Sequence, residues 1–103
     1  MNWIDEATSC LSDELPSGSR VIIFGSQARG DALPDSDLDL LVIEPEVKNR
    51  FAEMARLSSL LGLHLIPADV VVLSAAAFEQ QKIITNTLAW HAAREGILHE
   101  FAA

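Results

Sequence analysis

Three aspartates and one glycine–serine pair are the residues of this sequence best suited to do chemistry. Asp37 and Asp39 stand two residues apart at the head of the apolar run Leu40-Leu41-Val42-Ile43, and Asp69 stands immediately before a second run, Val70-Val71-Val72-Leu73. Side chains alternate between the faces of a strand, so residues two apart point the same way from Cα atoms roughly 6.5–7 Å apart. Two carboxylates held in that way repel each other unless a cation lies between them. Their hard oxygens suit magnesium, which takes one or two carboxylates and completes its shell with water and substrate phosphates. Neighbouring strands lie about 4.8 Å apart, so Asp69 reaches the same cations if its strand runs beside the first. Upstream, Gly25-Ser26 closes the run Val21-Ile22-Ile23-Phe24. The glycine permits a positive φ and a close approach to a ligand, and the serine offers a hydroxyl and a free N–H where a short helix can begin. Such a turn favours anions. A phosphate cradle and metal-binding carboxylates that face one ligand point to a nucleoside triphosphate.

The elements that must position these groups follow from periodicity. Ile4, Ala7, Leu11 and Leu15 fall at helical spacing over residues 4–15, and Pro16 with Gly18 stops the run. A strand covers Arg20 to Phe24, and a loop or short helix runs from Ser26 to Gly30. Arg29 on that segment would bind phosphate, clamp the acidic loop, or stand in solvent as a loop arginine. Asp35 reads as a loop or capping carboxylate, and Gly30 as a backbone requirement. After the strand that starts near Asp39, the spacing predicts a helix from Glu46 to Leu61 with Val47, Phe51, Met54 and Leu61 on its core side, Leu57 and Leu60 widening that side, and Gly62 as its cap. The unbroken Val-Val-Val-Leu predicts a strand covered on both faces. Ser74 reads as an N-cap, and helix continues, with a break, to about Arg94, where Gly96 ends it. Ile83, Ile84, Leu88 and Trp90 form an apolar arc on that last helix, expected to be partly exposed and to meet a partner. The whole predicts an α/β (α+β) single domain over residues 1–103, a small mixed sheet flanked by helices.

Composition narrows the function further. The net charge is −8 with a sequence pI near 4.6, and only seven Lys and Arg are present. A long nucleic acid is disfavoured, because its binders present a basic patch or stripe. Half of the residues are hydrophobic, generous for 103 residues, which supports a partner surface. No run approaches the ~20 apolar residues of a membrane span, and the N-terminal stretch lacks the basic start of a signal peptide. With the single Cys10, this implies a reducing, cytoplasmic setting. Cys10 reads as a small buried apolar residue, and His64, His91 and His99 as packing or surface groups without metal-ligand spacing.

Gly-Ser-x-Ala-Arg-Gly at residues 25–30, Ser-Asp-x-Asp at 36–39 and the strand-opening Asp69 resemble the signature of the polymerase-β-type nucleotidyltransferases, and most closely that of the minimal nucleotidyltransferases, or MNT proteins. The closing Glu95-Gly96-Ile97-Leu98-His99-Glu100 is similar to that family's C-terminal end, with His99 where an aromatic residue is common. The resemblance implies the polymerase-β-like fold and Mg-dependent transfer of AMP from ATP to a hydroxyl. It implies that Asp37 and Asp39 hold two Mg2+ ions, that Asp69 completes the metal site on the acceptor side, and that Gly25, Ser26 and Arg29 attend the triphosphate. It also implies a partner, a HEPN-domain ribonuclease toxin whose tyrosine receives AMP, with this chain as the antitoxin. Alternatives are a nucleotide-binding subunit that masks its partner without catalysis, and an antibiotic nucleotidyltransferase.

Overall fold

The structure is a computed structural model that describes residues 3–25 and 37–100. Its elements are α1 (Trp3–Ser12), β1 (Arg20–Phe24), β2 (Leu38–Glu44), α2 (Arg50–Leu63), β3 (Ala68–Ser74), α3 (Ala75–Gln81), α4 (Leu88–Glu95) and β4 (Ile97–Glu100). The strands form one sheet in the order β3-β2-β1-β4. β1 runs antiparallel to both β2 and β4, while β2 and β3 run parallel. A parallel pair needs a crossover, and α2 supplies it.

Alternation along the strands sorts their side chains into two cores. Val21, Ile23, Leu38, Leu40, Val42, Val70 and Val72 face α1 and α2, which contribute Ala7, Leu11, Leu57 and Leu61. Ile22, Leu41, Ile43 and Leu73 face α3 and α4, which contribute Phe78, Ala89 and Ala92. The small mixed sheet flanked by helices is therefore the predicted architecture; of the β3 valines, Val70 and Val72 are buried on one face, while Val71 on the other is only partly covered. Among the described residues no helix is long and apolar enough to cross a membrane.

Three local expectations are corrected. α2 begins at Arg50, after Asn49, whose side chain accepts from Ala52 N–H at 3.0 Å; residues 46–49 lie outside it. It runs past Gly62 to Leu63, and the chain reverses at Leu65, in the left-handed region at φ 57°. The buried stripe is consequently Leu57 and Leu61 with Met54 beside them, whereas Phe51 is 73% exposed. The break in the last helical stretch is complete: α3 ends at Gln81, and Thr87 caps α4 by accepting from Trp90 N–H at 3.1 Å. Ile83 and Ile84 thus lie between the helices instead of on one. The Ser74 cap is as predicted, accepting from Ala77 N–H at 3.1 Å.

β4 is the element that periodicity overlooked. It follows α4 at Gly96, whose φ of −77° any residue could adopt. Space is what demands glycine, since a Cβ there would strike Ile22 Cγ2 and the carbonyl oxygens of Ala92 and Ile23. Gly96→Ala must therefore push α4 and β4 away from β1, an overpacking cost of about 1–3 kcal/mol. Urea unfolding should read that loss as a lower midpoint with an unchanged slope.

Candidate active site

The strand directions gather the sequence's candidate residues at one end of the sheet. β1 leaves the sheet where β2 and β3 enter it, so Gly25, Asp37, Asp39 and Asp69 meet there. Asp39 is the centre of this end: its register partners are Phe24 on β1 and Asp69 on β3. Leu38 N–H donates to Pro67 C=O at 2.9 Å, which ties the start of β2 to the entry of β3. From Leu38 to Glu44 every residue of β2 is buried except Asp39, which is half-buried; Asp37 and Asp69 are exposed.

Alternation puts Asp39 and Asp69 on the face of the sheet that carries Leu41, Ile43, Val71 and Leu73, with Asp37 just before β2. α3 and α4 bury that face toward its far end, while Phe24 and Val71, adjacent to the aspartates, are only partly buried. Gly25 stands beside Asp39 at φ 74°. A Cβ on Gly25 would stand 3.2 Å from Asp39 Cγ and closer still to Oδ2. The left-handed turn is the one expected, and the group the glycine makes room for is the Asp39 carboxylate.

This donor set fits magnesium in chemistry: hard carboxylate oxygens from two adjacent strands, with backbone close by where a side chain would intrude. As the side chains stand, no three His, Cys, Asp or Glu among the described residues form a ready-made metal site. Ser26 and Arg29, the proposed phosphate contacts, lie outside the described residues, as do Gly30 and Asp35. A hollow of about 470 Å³ lined by Asp5, Glu6, Ser9, Cys10, His64 and Ile66 belongs to the opposite face, beside α1, and none of the three aspartates lines it. Cys10 there is half-buried, and burial, with Glu14 adding, pushes its thiol up, so it stays neutral and inert. His91 stands edge-on to Trp90 at 4.9 Å between ring centres.

The nucleotidyltransferase domain family matches the chain over residues 4–93. The chain belongs to that family. A solved structure of a minimal nucleotidyltransferase is 31% identical, with a TM-score of 0.58, 94% of this chain and 95% of that one being covered. A nucleotidyltransferase from Sulfolobus solfataricus, solved at 1.40 Å, is 26% identical with a TM-score of 0.61, covering 93% of this chain and 75% of that one. A toxin–antitoxin structure with AMP-PNP is similar in fold at 20% identity and a TM-score of 0.66, covering 95% of this chain and 72% of that one. No curated protein matches the sequence. The fold of this nucleotidyltransferase and its class of enzyme are those that the resemblance carried by Gly-Ser and Asp-x-Asp implied.

Proposed function

We propose that this nucleotidyltransferase moves AMP from ATP to a hydroxyl on a partner protein and so acts as the antitoxin of a toxin–antitoxin pair. The observation that carries the reading is Asp39, the single residue of β2 that is not buried, set beside Gly25 and in register with Asp69. Support for the partner comes from fold neighbours: the AMP-PNP structure and that of the toxin–antitoxin pair MntA–HpeT, the latter 17% identical with a TM-score of 0.63. Gly25 and Ser26 seat the triphosphate, with Arg29 on its phosphates. Asp37, Asp39 and Asp69 would hold magnesium, which would supply positive charge where negative charge develops in the transfer. The acceptor oxygen attacks the α-phosphorus, pyrophosphate departs, and Asp69 on the outer strand takes the hydroxyl proton. The chain contains no tyrosine, so a tyrosine acceptor must come from another chain; the partner we propose is a HEPN ribonuclease. Incubation with ATP, magnesium and the product of the neighbouring gene should add the mass of AMP to that product. An unmodified product in a stable complex would instead make the chain a masking subunit.

The partner surface is the segment between α3 and α4. Ile83, Ile84 and Leu88 are 77%, 54% and 36% exposed, whereas Trp90 is half-buried with the Arg94 guanidinium stacked 4.7 Å over its ring. The anchors are thus the aliphatic residues, with Trp90 behind them. Ile84→Ala combined with Leu88→Ala should weaken the complex by about tenfold or more, roughly 1.4 kcal/mol, in a binding titration. ATP affinity should stay unchanged, because neither residue is among those proposed to hold the nucleotide or the metal.

A further inference from the structure

The far end of β2, away from Asp39, carries an arrangement that nucleotide transfer does not use. Glu44 closes the strand at 4% exposure, and its Oε2 has no hydrogen-bond partner. Its other neighbour is Glu53 on the first turn of α2. Both oxygens of Glu53 are already taken by the Arg56 guanidinium, at 2.8 and 2.9 Å. The same guanidinium reaches across to Glu14, donating to its C=O at 2.9 Å and its carboxylate at 3.4 Å. The hollow beside them adds Glu46, Lys48 and Asn49 from the loop that joins β2 to α2.

The charges decide what this cluster requires. Two carboxyl groups in contact share one guanidinium, which is committed to Glu53 and Glu14. A second buried carboxylate would be uncompensated, and its cheapest remedy is to keep its proton. That proton also gives Glu44 something to donate to Glu53. We propose that Glu44 and Glu53 hold one proton between them in the folded chain, and that its removal loosens the first turn of α2 from the end of β2.

The direction of each group agrees. Burial pushes the Glu44 carboxyl up to about 8, with the hydrogen bond to Glu53 adding to it. The Arg56 hydrogen bond, then that from Glu44, holds Glu53 down to about 2. Glu44 therefore binds its proton more tightly folded than unfolded. Its contribution is whole in the acid range and is lost as the pH climbs from the ordinary glutamate range toward about 8. Glu53 acts in the opposite sense, and its contribution is lost only as the pH falls from the ordinary glutamate range toward about 2.

Hydrogen exchange tests this on the intact chain. The protection factors of amides 50–56, corrected for intrinsic rates, should fall by about tenfold per pH unit between pH 6 and 8, the slope of a one-proton opening. In Glu44→Gln, a neutral isostere, the same amides should show no pH dependence. A carbon-13 titration of the unsubstituted protein supplies a readout independent of any variant's folding, and the Glu44 carboxyl should titrate in mildly alkaline solution. An ordinary glutamate midpoint there would overturn the proposal, as would equal pH slopes in the two proteins.

Discussion

Asp39→Asn is expected to cut nucleotide transfer by roughly a hundred- to a thousandfold, the cost of removing one preorganised charge from a site where charge develops. The fold should survive intact. Asparagine keeps the shape of aspartate, so circular dichroism should match that of the parent while transfer is lost. Asp69→Asn belongs to the same experiment with a different signature. If Asp69 serves the acceptor side, calorimetry should still show ATP and magnesium binding while transfer fails. Loss of binding in Asp69→Asn as complete as in an Asp37 Asp39 double variant would make it a general ligand of the metals.

Gly25→Ala should approach the loss of Asp39→Asn, although it removes no functional group. A non-glycine residue at φ 74° costs about 1–2 kcal/mol. The larger effect is local, because the new methyl would run into Asp39 Oδ2 and force the carboxylate aside. Combining the two substitutions distinguishes this from general damage. If Gly25→Ala acts by displacing Asp39, it should cost little further activity on an Asp39→Asn background, since groups that act as a unit are strongly non-additive. Independent, multiplying losses would show that the glycine matters only for the turn.

The parts of this fold that were readable from sequence are those where one physical requirement dominates. β1 occupies Arg20–Phe24 as the apolar run demands, and Ser74 caps α3, because a lone hydroxyl before an alanine-rich turn has one good use. The joint placement of Asp39 and Asp69 needed only parallel strands in register, which α2 as a crossover provides. The boundaries of α2 were misjudged because two caps competed. Asn49 outbids the earlier start at Glu46, and the left-handed Leu65 ends the helix where Gly62 had seemed the natural stop. Phe51 then turned out to lie off the buried stripe, which is set by Leu57 and Leu61. β4 escaped notice because Ile97 and Leu98 are only two apolar residues, both exposed, and the strand exists by pairing with β1. The closeness of Gly25 to Asp39 is a tertiary fact that no spacing encodes. The Glu44–Glu53 pair is likewise invisible in the chain, since nothing local marks one glutamate as buried.

The fate of the two ends of ATP decides whether AMP is the group transferred. In parallel reactions with magnesium and the neighbouring gene's product, one tube receives ATP labelled at the α-phosphate and the other ATP labelled at the γ-phosphate. AMP transfer predicts that α-label becomes covalently attached to the partner, that γ-label leaves as pyrophosphate, and that Asp39→Asn abolishes the attachment. Covalent γ-label on the partner, or α-label transferred undiminished by Asp39→Asn, would contradict it.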